Sequence, residues 1–243
     1  MLFGINAAQA QNTEYGVFNH LGLGVSAGLD GLGFDLAAPI TDWAAVRVGM
    51  SMYPKIAYKF DVDIDSESNS FITDEVEVEA KLNISDFKML FDFYPAKKSS
   101  FHLTAGAYIG TKKLVSVKNT EQFLRESAWG TEGIKLGDYR ITSDKNGNIE
   151  ANIEVAGFKP YVGIGFGRAV PKKSRVSVSF DMGVKFWGSP GVYTYTEDNF
   201  GNRTYDKLTK GDVDDEDADK VFDTMSKISV FPVMTLRLCG RIF

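Results

Sequence analysis

RVSVSFDMGVKFW, residues 175–187, places Val176, Val178, Phe180, Met182, Val184 and Phe186 on one face and Ser177, Ser179, Asp181, Gly183 and Lys185 on the other. A strict period of two is the mark of an extended strand between two different environments. The same alternation recurs through Leu21, Leu23, Val25 and Ala27, through Phe34, Leu36 and Ala38, and through Val46, Val48, Met50 and Met52. It returns in Phe87, Met89, Phe91 and Phe93, in Leu103, Ala105, Ala107 and Ile109, in Val162, Ile164 and Phe166, and in Met234, Leu236 and Leu238. These segments predict eight strands, an even number, with no helical period between them.

The second face decides what surrounds the strands. It carries Gly22, Gly24, Ser26, Gly49, Ser51, Gly106, Gly163, Gly165 and Gly167, with charges scattered among them. Exposed glycine weakens a strand, so this is a poor outer face for a soluble barrel such as a lipocalin. Inside a narrow eight-stranded barrel, small residues make room for large polar neighbours. The apolar face is free of lysine and arginine where it would meet lipid, and one such charge at the bilayer midplane costs about 2–4 kcal/mol. The fold expected is therefore all-β: an eight-stranded antiparallel transmembrane β-barrel with short periplasmic turns and long extracellular loops.

Bulk properties agree. The chain has 243 residues, 24 glycines, 13% aromatic residues, 24% charged residues and a formal net charge of -5, so there is no basic footprint for nucleic acid. No apolar run approaches the roughly 20 residues a membrane helix needs. Cys239, the one cysteine, excludes an intrachain disulfide. The turns APITDW (38–43), PAKKSS (95–100) and VPKKSR (170–175) are short and carry proline, whereas 112–149 and 189–226 are long and polar. Alternating short and long connections fit the periplasmic and extracellular ends of a barrel, and an even strand count puts both termini on the short-turn side. Phe243 gives the aromatic last residue of many such barrels. Against the pattern stand Pro160 and Pro232, which fall in strands of a wall without free edges, and Phe243 itself, one residue out of phase with Leu236 and Leu238.

The phrases TDWAAVRVGMS (41–51), FDFYPAKKSSFHLTAGAYIG (91–110), FKPYVGIGFGRAVPKKSRVSVSFDMGVKFWGSP (158–190) and SVFPVMTLRLCGRIF (229–243) resemble a family of small outer-membrane β-barrel proteins, broadly the OmpA, OmpX and OmpW class. The match covers about half of the chain, all of it strands and short turns. The resemblance implies a bacterial outer-membrane location in a Gram-negative cell envelope. It implies no settled activity. Partners in keeping with it are outer-membrane lipid, lipopolysaccharide and the barrel assembly machinery during insertion, with the protein itself a monomer.

Candidate functional residues fall into two groups. The inward phase holds Asp35, Arg47, Lys88, Asp92, Lys159, Asp181, Lys185, Arg237 and Arg241. Two readings stand: a salt-bridged plug, since buried charges persist when paired, or a narrow pore favouring anions, given more basic than acidic groups. The second group lies beyond the membrane, where YPKIAYKFDVDID (53–65) and DEVEVEAKLNI (74–84) form a projecting hairpin. A register in which paired numbers sum to 140 sets Asp65 against Glu75, Asp63 against Glu77 and Asp61 against Glu79. Like charges directly opposite destabilise a pair, and hard divalent cations favour clustered carboxylates. This face is either a Ca²⁺ or Mg²⁺ site or a solvated acidic surface. DVDDEDAD (212–219) lacks the glycine and terminal glutamate of an EF-hand loop and reads as solvated.

The lipid faces of 46–52 and 87–93 have opposite parity, while 56–64 and 76–84 share one parity. A one-residue slip flips every side chain, so a bulge is expected at Ser85–Asp86 or Tyr53–Pro54. The hairpin's apolar face then needs cover from Leu114, Val117, Phe123 or Trp129, or from a partner. No catalytic residue is assigned: His20 and His102 both lie toward the periplasmic ends, and His102-Leu103-Thr104 has threonine where barrel lipid hydrolases have serine. The function expected is structural or binding, through the hairpin and loops. The alternatives are a narrow channel for small solutes or hydrophobic molecules and, more remotely, a lipid-modifying enzyme.

MLFGINAAQA (1–10) ends in Ala8-Gln9-Ala10, a small-x-small cleavage pattern, and reads as the remnant of a signal peptide ahead of a single barrel domain, 11–243. An ordinary frayed terminus is the alternative. Intact-mass measurement on membrane-inserted protein distinguishes them: the expected chain starts near Gln11, and a retained Met1 contradicts the leader.

Overall fold

The computed structural model describes residues 16–54, 56–63, 75–120, 134–136, 139–141, 148–172, 174–197, 202–208 and 227–242. In chain order the strands are β1 (Gly22–Gly28), β2 (Gly31–Thr41), β3 (Ala44–Met52), β4 (Ile56–Asp63), β5 (Glu75–Leu82), β6 (Ser85–Phe93), β7 (Phe101–Gly110) and β8 (Lys113–Asn119). They continue as β9 (Ile134–Leu136), β10 (Tyr139–Ile141), β11 (Glu150–Glu154), β12 (Phe158–Phe166), β13 (Val176–Phe186), β14 (Gly191–Glu197), β15 (Arg203–Lys207) and β16 (Val230–Arg241).

Eight of these close into an antiparallel barrel in the order β1-β16-β13-β12-β7-β6-β3-β2. They are the eight segments the alternation marks. Gly22 pairs with Arg241 where β1 meets β16, so the first and last barrel strands close the wall at the short-turn end. The barrel is inside out relative to a soluble one. Leu23, Phe34, Met89, Phe91, Val162, Val178 and Leu236 point outward with 43–59% of their surface exposed, while Asp35, Arg47, Asp86, Asp92 and Arg237 are 5% exposed or less. A wall of bare aliphatic and aromatic side chains around a charged interior is stable only where the surroundings are hydrocarbon.

The prolines sit where the ladders stop. Pro160 pairs with Ala107 on one side, and on the other the ladder to β13 begins only at Tyr161. Pro232 lies beyond Thr235, the last β16 residue paired with β1. Ile242, 57% exposed, continues the outward phase of Leu236 and Leu238; Phe243 falls outside the described residues.

Beyond the membrane the wall continues on one side. A six-stranded sheet runs β4-β5-β8-β11-β14-β15, repeating the barrel order β3-β6-β7-β12-β13-β16 one storey up. Backbone bonds at the junctions stitch the storeys together: Tyr53 N to Ile84 O (2.9 Å), Gly110 N to Gly157 O (2.9 Å), Val155 N to Lys112 O (2.8 Å) and Ala156 N to Trp187 O (2.7 Å). Only β1 and β2 lack an extension, because they join through the tight turn Leu29-Asp30, closed by the Gly28–Gly31 pair. Gly31 has φ +92°, a conformation that favours glycine.

Three sequence expectations need correction here. Segments 112–149 and 189–226 are not simply loops, since they contribute β8 to β10 and β14 to β15. The hairpin register sums to 138, not 140, so Ile56 faces Leu82 and Lys59 faces Glu79. A shift of two leaves every side chain on its face, which is why the alternation does not detect it. Finally, Val117 is not a lid over the hairpin: it lies in β8, beside Ala80 in the same sheet. Exposed strand edges recruit partners, and β8 satisfies that of β5. Phe123 and Trp129 lie outside the described residues. The phase conflict is absorbed as expected at one of the two expected places. Barrel pairs β3–β6 sum to 137, ending with Met52 opposite Ser85, and the outer pairs sum to 138 from Ile56 opposite Leu82, so the chain between Met52 and Ile56 carries one residue more than the chain between Leu82 and Ser85.

Inward glycines allow neighbouring strands and side chains to approach. A methyl group at Gly49 would stand 2.1 Å from the Phe34 carbonyl oxygen, and at Gly106 2.2 Å from that of Met89. Backbone cannot yield as a side-chain tip does. Gly49→Ala should therefore lower folding stability by about 1–3 kcal/mol, the usual range for overpacking. Thermal loss of the compact, heat-modifiable form on gels measures it; an unchanged midpoint contradicts this packing.

Candidate functional site: the ion-paired lumen and the outer sheet

The lumen contains stacked polar groups. Toward the short turns, Arg237 grips Asp35 through Nε (3.0 and 2.9 Å) and Nη2 (2.5 Å), and its Nη1 donates to the Ala169 carbonyl (3.0 Å). In the middle, Arg47 Nη2 lies 2.7 Å from Asp92 and 3.0 Å from Asp181. Thr104 donates to Asp92 (2.8 Å), and His102 Nε2 is 2.9 Å from Asp181. Toward the outer mouth, Asp86 receives Lys159 (2.8 Å) and Lys185 (3.2 Å). Lys185 also stands 4.5 Å from the ring centre of Tyr108.

Eight of the nine inward charges read from the sequence are buried: Asp35, Arg47, Lys88, Asp92, Lys159, Asp181, Lys185 and Arg237. Arg241 is placed differently, at the mouth, donating to the carbonyls of Pro171 (3.4 Å) and Lys172 (3.1 Å). Sequence reasoning missed Asp86 and Asp30, 0% and 2% exposed. Asp86 has the parity of Lys88 and Asp92, so the signal existed; Asp30 sits in a turn, where alternation says nothing. Their inclusion changes the balance. Arg47, Lys88, Lys159, Lys185 and Arg237 are met by Asp30, Asp35, Asp86, Asp92 and Asp181, and the basic excess that suggested an anion-preferring pore disappears.

Both mouths are narrowed. At the short-turn end, the β12–β13 turn folds inward, burying Ala169 and Val170 against Ala37, Ala45 and Tyr94. Arg168 laces it to the other turns through the carbonyls of Asp42, Lys97 and Ser99, and Lys172 pairs with Asp42. At the outer mouth a pocket of about 10 Å³, the size of one water, lies among Asp30, Asp86, Lys159, Trp187 and Phe231.

The outer sheet is polar on the face that carried the metal expectation. Asp61 faces Glu77 and Asp63 faces Glu75, but Glu79 faces Lys59, and Asp65 lies outside the described residues. Glu77 accepts from Lys59 (2.8 Å) and Thr120 (2.7 Å), and Glu79 from Lys81 (2.6 Å). Among the described residues no three acidic, histidine or cysteine side chains converge as a metal site. The run 212–219 is outside them. Farther along, burial pushes the Glu150 carboxyl up, but hydrogen bonds from Lys118, Asn152 and Lys113 outweigh it and leave it below the usual glutamate range. Burial and the neighbouring Glu154 carboxylate both push the Tyr205 phenol up.

His102 loses its likeness to a hydrolase histidine once its neighbours are placed. Its Nδ1 faces the Ser100 carbonyl at 3.3 Å and its Nε2 faces Asp181 at 2.9 Å, so among the described residues neither of these ring-nitrogen partners is the hydroxyl or thiol that a nucleophile–base pair needs.

The clusters predict unequal tolerance. Asp86→Asn strands two buried ammonium groups and should cost about 3–5 kcal/mol. Lys88→Met should cost less, because the nearest hydrogen-bond partner of Lys88 is Ser26 at 3.5 Å. Urea unfolding in micelles ranks the two, and the reverse order contradicts the pairing.

No family model matches the sequence, and no curated protein matches it. Among solved structures it is similar to CarO2 of Acinetobacter baumannii (TM-score 0.49, 16% identity, covering 91% of this chain and 98% of that one). It is also similar to Acinetobacter baumannii CarO (0.47, 14%, 90% and 96%) and to a major outer membrane protein from Thermus thermophilus (0.34, 15%, 92% and 98%). The strand order, the apolar outer wall and the charged lumen of the chain itself make it an eight-stranded transmembrane barrel of the outer-membrane type.

Proposed function

We propose that this protein is a closed, non-enzymatic barrel of the bacterial outer membrane that acts as a stalk, presenting an ordered sheet at the cell surface for binding or structural contact. The observation that carries this reading is the contrast between its two storeys. The lower storey invests its inward positions in charge pairs with balanced signs. Such pairs stabilise a low-dielectric interior only while they stay together, and an aqueous path would have to break them. The upper storey repeats six of the eight wall strands as an open sheet, far more architecture than a crossing of about 9–11 residues per strand requires.

The competing channel reading makes a different electrical prediction. Purified protein in planar bilayers should give no conductance steps on the nanosiemens scale. Arg47→Ala, which removes the central bridge, should introduce small or flickering openings. Large, stable steps from the parent protein would replace the stalk with a pore.

A further inference from the structure

Charge is distributed unevenly between the two ends of the barrel. Segments 53–84, 111–157 and 187–229, which connect barrel strands in sequence, hold 15 of the chain's 27 Lys+Arg but 25 of its 32 Asp+Glu. The lumen is balanced, as described above. The excess of positive charge therefore falls at the short-turn end, where Lys97, Lys98, Arg168, Lys172, Arg175 and Arg241 accompany Asp42.

These basic groups divide by what they touch. Arg168, Lys172 and Arg241 are committed to lacing the turns, through carbonyl oxygens and Asp42. Lys97, Lys98 and Arg175 are exposed. Arg175 directly precedes Val176, an outward residue 55% exposed, and Lys97 follows the outward Phe93 by four residues. Arg175 is one residue, about 3.3 Å along an extended chain, from that outward position, and Lys97 and Lys98 lie in the β6–β7 turn at the same end of the barrel. Lys97 Nζ also lies 5.6 Å over the ring of Trp43, itself 42% exposed, and tryptophan beside a cation is characteristic of a membrane–water interface.

We propose that this rim, formed by Lys97, Lys98, Arg175 and Trp43, is a docking surface for the anionic headgroups of the phospholipid leaflet on the short-turn side. Phosphate oxygens accept from the ammonium and guanidinium groups, Trp43 packs at the glycerol level, and the attraction falls away within a Debye length of the surface. The inference rests on the membrane reading above.

The test uses the full chain refolded into vesicles of phosphatidylcholine alone, or with one third phosphatidylglycerol. The parent should melt several degrees higher in the anionic vesicles, with the difference largely removed by high salt. In Lys97→Gln/Lys98→Gln/Arg175→Gln the difference should fall by more than half. In Lys112→Gln/Lys118→Gln, altered in the outer sheet, it should persist. Equal shifts in parent and rim variant, no shift at all, or loss in the outer-sheet variant instead would each overturn the proposal. Sedimentation with purified peptidoglycan without any lipid dependence would overturn it too, in favour of a cell-wall polymer. If the parent never reaches its heat-modifiable form in vesicles of either kind, the barrel reading itself fails.

Discussion

Arg47 lies between Asp92 and Asp181 in a lumen too narrow to hydrate them separately. Taking a guanidinium out of water is costly unless carboxylates are already in position, and losing either one exposes that cost. The geometry of the wall follows from this need. β3, β6 and β13 must stand in one fixed register for the three side chains to meet, and Gly165 on β12 must lack a side chain, because a Cβ there would stand 2.4 Å from His102 Nε2 and 2.8 Å from Asp181. The inward glycines are thus part of the charge network: they are the spaces into which its larger members reach.

The outer sheet inherits its order from the same wall. Each extension continues a barrel strand, so the neighbour relations are set inside the membrane and carried outward by the junction bonds. The cost of that continuity is phase. β3 and β6 alternate with opposite parity in the bilayer, β4 and β5 with the same parity above it, and the one extra residue between Met52 and Ile56 reconciles them. Proline at position 54 is suited to this place, since it has no N–H to leave unpaired where the ladder is interrupted.

Much of this is legible in the sequence, and the limits have physical causes. Period two reports which face a residue occupies, so the eight barrel strands, the inward charges of β13 and the need for a bulge can all be read directly. It does not report which residue lies opposite. The hairpin register expected from it is therefore off by two, a displacement that conserves faces. It also falls silent in turns, hiding Asp30, and where both faces are mixed, as in YTYTE of β14 or RTYDK of β15; the β11 partner of β14 lies about forty residues away in sequence. The lumen's charge balance is lost with Asp86, which has the right parity but no neighbour in sequence to announce that Lys159 and Lys185 converge on it.

Among the described residues, the missing extension above β1 and β2 leaves the outer sheet ending at β4 on one side and β15 on the other. Open edges above a crowded membrane surface are templates for unwanted strand pairing. Both edge strands are short and heavily charged: Lys59, Asp61 and Asp63 lie on β4, and Arg203, Asp206 and Lys207 on β15. A partner adding a strand to either edge would have to match that mixed sign pattern as well as the backbone, which raises the specificity of any such contact. The tight Leu29-Asp30 turn thus has a consequence beyond closing a hairpin. It opens the sheet on one side, and the charged sequences of the two terminal strands restrict what can join there.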